Sequence, residues 1–289
     1  MNHQIASGQL IQNKQITAEY AVHHIKEFQM SFDLSAIQRG KQGRAPRIFL
    51  YATHGIGKST FASQAPNPIF IQTEDGLGSI DTASFPLAQS SADIMTAIGT
   101  LYSEQHDFQT VVLDSADWAE AIFQREIETQ HDAKDLAYGK GALILAEKWK
   151  KTLDGLSALC YRKNMTVIIL GHCEIKRYDS PEVESYDRFQ PKLQTRASAL
   201  VQEWADCVLF ANYKTIVRKE EVGFNKTVSK AFTNGDRIIN TAETPAFLAK
   251  NRYALPDRLP LDWLQFWSAV QANTQQTVSP TAEPVSAQL

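Results

Sequence analysis

The chain has 289 residues, 43% hydrophobic and 21% charged, with a formal net charge of −3. That balance predicts a sizeable folded core and excludes a chain-wide basic field, so any nucleic-acid contact must come from a local surface. No apolar run approaches the ~18 residues of a membrane span, the N-terminus MNHQIASGQL lacks a secretory pattern, and Cys160, Cys173 and Cys207 are scattered without C-x-x-C spacing; the expectation is a soluble, cytoplasmic protein with reduced, buried thiols and no membrane partner.

In chain order, residues 1–15 are polar, and 17–30 place Ala18, Val22, Ile25 and Phe28 at helical spacing. A Gly-rich basic linker, QRGKQGRAP, closes an N-terminal segment of residues 1–46. Residues 47–52 (RIFLYA) read as a buried strand, 58–65 as a helix, 68–72 (PIFIQ) as a second strand and 91–104 as a helix. TVVLD at 110–114 is a third strand, followed by helices over 116–130 and 142–163. TVIILG at 166–171 and CVLFAN at 207–212 are the fourth and fifth strands. Short apolar strands alternating with helices predict an α/β fold with a mostly parallel sheet covered on both faces. After 212 the stretches YKTIVRK, TVSKAFT and DRIINT, separated by Gly-Phe-Asn and Asn-Gly, read as C-terminal β-hairpins. The core domain spans 47–270, and 271–289, rich in Gln, Thr, Ser, Pro and Ala, reads as a disordered tail.

Between the first strand and the first helix lies YATHGIGKST, residues 51–60. Strand, Gly-rich turn, Lys-Ser and helix together are the context of a phosphate-binding loop. Inward-turned backbone N–H groups of Thr53, His54, Gly55, Ile56, Gly57, Lys58, Ser59 and Thr60 would cradle ATP phosphates. Lys58 would reach the β- and γ-phosphates and Ser59 would bind Mg²⁺. Ala52 stands where the usual pattern has glycine; at a strand exit with negative φ, alanine is tolerated. Asp114, at the end of a buried strand, supplies the second anchor for Mg²⁺, or else Asp114-Ser115 or Asp117 caps the following helix. Glu74, just past the second strand, is placed to polarise an attacking water, with Asp75 as its rival.

These motifs in this order resemble the RecA-like P-loop NTPase core. More specifically, Tyr51 to Ser59, the YGKG of Tyr138 to Gly141, and AKNR…LP…DW from Ala249 to Trp263 resemble the phage-encoded RecA-core ATPases of single-strand annealing and recombination. Ala52 departs from that family's glycine. The resemblance runs from about residue 47 to 256 and implies several roles. Glu74 matches the catalytic glutamate. His172, at the end of the fourth strand, stands where a polar residue senses the γ-phosphate. Lys250 and Arg252 match cations that reach a neighbouring subunit's nucleotide, where such groups contribute on the order of 10³–10⁵ in rate. The protein is then a homo-oligomer, filament or ring, with a shared active site.

Two segments lie where RecA-like filaments hold single-stranded DNA. One carries Lys134, Tyr138 and Lys140. The other, a long loop over 174–196, carries Lys176, Arg177, Tyr178, Arg188, Phe189, Lys192 and Arg196. Cations that follow phosphates and rings that stack on bases suit a single strand, although five basic and five acidic residues leave this loop neutral. The resemblance therefore implies a DNA-dependent ATPase in the host cytoplasm, with a single-strand-binding protein as a further partner. A RecA-core helicase-like motor, and a nucleotide-dependent binding module of a replication complex, are the alternatives.

Overall fold

The computed structural model describes residue 37, residues 43–221 and residues 227–275. The expected helix at 17–30, most of the linker and residues 276–289 lie outside them.

The chain alternates β1 (Arg47–Ala52), α1 (Lys58–Ser63), β2 (Pro68–Gln72), β3 (Ala83–Ser84), α2 (Ser91–Ser103), β4 (Thr110–Asp114), α3 (Ala116–Gln130), α4 (Ala133–Leu136) and α5 (Lys140–Lys163). Then follow β5 (Thr166–Tyr178), β6 (Tyr186–Pro191), α6 (Thr195–Trp204), β7 (Cys207–Glu221), β8 (Thr227–Asn240), β9 (Lys250–Asn251), β10 (Arg258–Pro260) and α7 (Trp263–Gln275). The sheet order is β10-β8-β7-β1-β5-β4-β2-β3, with β6 on β5 and β9 on β7. Strands β7, β1, β5, β4, β2 and β3 are parallel; β8 pairs antiparallel with β7, and β10 antiparallel with β8. The α/β class with a mostly parallel sheet and C-terminal antiparallel strands is therefore as the sequence predicts.

Period-two alternation divides the core. Phe49, Tyr51, Val111, Leu113, Val167 and Ile169 face one layer, where Ile94 of α2, Phe123 of α3, Trp149 of α5 and Val201 of α6 cover them. Ile48, Leu50, Val112, Ile168 and Leu170 face the other, covered by Phe61 of α1 and by Trp263 and Phe266 of α7. Strands buried on both faces read as unbroken apolar runs, which is why β1, β2 and β4 were legible residue for residue.

Four features correct the sequence reading. The segment 174–196 is not a loop: β5 runs on to Tyr178 and pairs with β6 from Cys173↔Pro191 to Tyr178↔Tyr186. The Asn234-Gly235 pair is not a hairpin turn but a bulge inside β8, with Gly235 at φ 86 and the register broken between Tyr213 and Thr215. Helix α6 was not foreseen. Nor was α7, which carries ordered structure to Gln275, past the expected end of the core at 270.

Candidate nucleotide site

Parallel register brings four strand ends to one edge. Ala52 pairs with His172, Asp114 with Leu170, and Gln72 with Asp114. The groups that follow β1, β2, β4 and the apolar part of β5 therefore meet at the carboxyl ends of the parallel strands, where ligands collect in such sheets.

The loop after β1 turns on two glycines, Gly55 at φ 74 and Gly57 at φ 103. Gly57 opens α1 without a side-chain cap. Ile56 is fully buried and anchors the loop to the α1 layer, while His54, Gly55 and Thr60 are exposed. Lys58 is 6% exposed; its Nζ donates to the Thr53 carbonyl at 3.3 Å. Burial pushes this ammonium below its ordinary range, against the pull of Asp114, Glu74 and Asp117. A buried cation whose hydrogen bond, among the described residues, goes to a carbonyl suits an anionic ligand.

Ser59 Oγ donates to Asp114 Oδ2 at 2.6 Å. Asp114 is 3% exposed, and burial lifts its carboxyl above the ordinary range despite the Ser59 bond. Hydroxyl and carboxylate together are hard oxygen donors of the kind Mg²⁺ takes. Among the described residues no group of three or more His, Cys, Asp and Glu could hold a metal ion, so such a cation would complete its shell with phosphate oxygens and water. Thr73 clasps the strand ends: Thr73 Oγ1 donates to the Ser115 carbonyl at 2.7 Å and accepts from Ser115 N at 2.8 Å. Glu74 follows directly and is half-buried. Its charge acts on both Lys58 and Asp114, whereas Asp75 is exposed.

His172 is held by Asp117, which the sequence offers only as a helix cap. Asp117, in the first turn of α3, accepts from the His172 backbone N and meets ring Nδ1, each at 3.0 Å. The ring stands 6.1 Å from that of His54 on the loop. A second unforeseen residue is Arg237 of β8, whose Nη1 donates to the Ile56 carbonyl at 3.1 Å. No local pattern announces either contact; the partners lie 55 and 181 residues apart.

The remaining candidates lie elsewhere. Lys250 and Arg252 fall at the amino end of β7, where Lys250 pairs with Val208, at the opposite end of the parallel strands from their own phosphate loop. Lys250 Nζ donates to the carbonyls of Gln202, Glu203 and Ala205 at the end of α6, at 2.7–3.0 Å. Arg252 Nη1 is 3.3 Å from Asp206 Oδ1, a carboxylate that Arg44 and Arg47 also engage. Lys134, Tyr138, Lys140, Arg177, Lys192 and Arg196 are exposed, Tyr138 fully and at φ 56. Lys176 pairs with Glu174 at 2.8 Å, and Tyr178 is 37% exposed. Arg188 and Phe189 correct the expectation of an exposed strand-binding pair. Arg188 is 5% exposed, bonded to Glu243 at 2.8 Å and set over the Tyr178 ring; Phe189 stacks on Phe210 in the core.

The loop, the buried lysine and the Ser59–Asp114 pair stand in one place, and a family model described as an AAA domain matches residues 44–253. The chain belongs to the AAA domain family. It is a P-loop NTPase by that membership, built on the α/β core described above. Among solved structures it is similar to the RadB recombinase, at 14% identity and a TM-score of 0.39, covering 68% of this chain and 81% of that one. No curated protein matches the sequence. No helix of the described residues is long and apolar enough to cross a membrane.

Proposed function

We propose that this AAA-domain protein binds ATP with Mg²⁺, hydrolyses it, and couples turnover to single-stranded DNA in phage recombination or annealing. One observation carries the reading: the Ser59–Asp114 bond of 2.6 Å beside the buried ammonium of Lys58. In it Lys58 and the loop amides bind the phosphates, and Ser59 and Asp114 hold the cation. Mg²⁺ would screen phosphate charge as it builds. Glu74 takes the proton of the attacking water, and His172, oriented by Asp117, contacts the terminal phosphate.

Lys250 and Arg252 cannot meet their own loop, because the length of the sheet intervenes. They suit the nucleotide of a second copy, which makes the working form a homo-oligomer, filament or ring. To get there Lys250 must release the α6 carbonyls and Arg252 must release Asp206. That prior engagement favours the second reading, a nucleotide-dependent binding module of a replication complex with slow turnover. The exposed Tyr138, flanked by Lys134 and Lys140, supports a strand-binding surface on the first segment. Arg177 and Tyr178 on the β5–β6 hairpin, with Lys192 just past β6 and Arg196 in the first turn of α6, remain available to a strand, and a single-strand-binding protein is a further candidate partner.

ATP hydrolysis measured with and without single-stranded oligonucleotide at low salt tests the proposal. Turnover that rises with DNA and disappears in Lys58→Ala is expected. ATP binding without turnover, unmoved by DNA, would leave the binding-module reading.

A further inference from the structure

Arg237 reaches the phosphate loop from the antiparallel part of the sheet. Its backbone is pinned on both sides: it pairs with Tyr213 of β7, and its carbonyl accepts from Leu261 N at 3.0 Å. The bulge precedes it directly. Tyr213 pairs with Arg237 but Thr215 pairs with Thr233, so residues 234–236 stand opposite Lys214 alone. Gly235 supplies the left-handed backbone, and Asn234 closes the turn through bonds to the Asp236 carboxylate and backbone N. Bulges of this kind re-aim the side chains next to them. Ile239, two residues on, sits in the α1 layer, so Arg237 emerges on the face that carries the loop.

The guanidinium then lies against the loop itself. Nη1 is 3.1 Å from the Ile56 carbonyl and 2.8 Å from where a Cβ on Gly57 would stand. Among the described residues no acidic side chain forms an ion pair with it, and the side chain is exposed. A carbonyl occupies one of five guanidinium donors; the rest remain for an anion at the loop.

Sheet order says which part of the ligand that is. His172 lies in β5, Asp114 ends β4 and Glu74 follows β2, all on one side of β1, while β7 and β8 lie on the other. A nucleotide with its terminal phosphate toward Glu74 and Asp114 leaves its nucleoside end toward β8. We propose that Arg237 is a ligand, from the same chain, of the nucleoside-proximal phosphate, and so serves ATP and ADP alike. This rests on the nucleotide-binding reading above.

The test is calorimetric titration of ATP and of ADP, each with Mg²⁺, into the full chain and its variants. Arg237→Ala should weaken both nucleotides by the same factor, roughly ten- to a hundredfold. Arg237→Lys should keep part of the affinity. Arg237→Gln retains a donor for the Ile56 carbonyl but no charge, so it should fall with the alanine variant; a purely structural arginine would leave it near wild type. Wild-type affinity in Arg237→Ala and Arg237→Gln, or a loss confined to ATP, overturns the proposal and leaves the nucleotide site standing. Failure of the wild type to bind either nucleotide overturns both.

Discussion

His172 and Asp117 are joined twice, ring and backbone, at 3.0 Å. Burial pushes the Asp117 carboxyl up, but bonds and charge from His172 overcome it and hold the group below the ordinary carboxylate range. If the ring reads a terminal phosphate, its orientation matters more than its presence. Asp117→Ala should therefore leave ATP affinity near wild type and lower kcat on the order of 10²-fold. Steady-state hydrolysis with a binding titration checks this; a change in affinity with kcat untouched would move the sensing role elsewhere. The stability contribution of Asp117 is complete above the ordinary carboxylate pKa and is lost as pH falls through its lower folded value. Thermal melts of wild type and Asp117→Asn should thus differ at neutral pH and converge only as pH falls from the ordinary carboxylate value through the lower folded one.

Asp114 has the opposite sign. Its carboxyl is raised by burial, so above that folded pKa it is ionised at a cost. The nucleotide-free protein should lose stability as pH rises through the range between the ordinary and the raised value. Asp114→Asn should melt higher than wild type near neutral pH without ligand, and should lose the stabilisation that Mg²⁺ and ATP together confer on wild type. Scanning calorimetry reads both; an unstabilised variant that still responds to Mg²⁺ would remove Asp114 from the cation site.

The two loop glycines should differ in cost. Both need positive φ, but a Cβ at Gly55 meets open space whereas one at Gly57 meets the Arg237 guanidinium. Gly57→Ala should cost about 1–3 kcal/mol in urea melts, and Gly55→Ala less. Arg237→Ala should relieve part of the Gly57→Ala penalty, so the double variant falls short of additivity. Strict additivity would show that the contact carries no energy.

Lys250 satisfies three carbonyls at the carboxyl end of α6, where a cation also meets the negative end of the helix dipole. Lys250→Ala should cost about 1–2 kcal/mol, in addition to any loss of hydrolysis. Arg252 is more exposed, so Arg252→Ala should fold normally. Mixing it with Lys58→Ala chains should restore part of the hydrolysis that neither shows alone. Mixed assemblies without recovery would confine Arg252 to its Asp206 bond.

Tyr138 and Arg188 separate strand binding from folding. Tyr138→Ala should weaken a single-stranded oligonucleotide by about 1–3 kcal/mol, read by fluorescence anisotropy, with the melting temperature unchanged. Arg188→Ala should instead lower the melting temperature, because it empties a buried position and removes the guanidinium set over the Tyr178 ring. Undiminished DNA binding in Tyr138→Ala would exclude stacking at that ring.

What was legible in the sequence were groups whose chemistry is local. The runs RIFLYA, PIFIQ and TVVLD are apolar because both sheet faces are covered, and Gly57, Lys58 and Ser59 follow a strand at a spacing that a phosphate loop requires. Asp114 and Glu74 could be placed because each ends or follows such a run. Tertiary structure decided the rest, since pairing across the sheet obeys register and not sequence distance. It turned Asn234-Gly235 from a turn into a bulge that aims Arg237 at the loop. It bonded Asp117 to His172, and it buried Arg188 and packed Phe189 against the core in a hairpin whose composition reads as a loop. Polar residues leave no periodic trace of their partners, so which carboxylate meets which cation becomes fixed only when distant strands lie side by side.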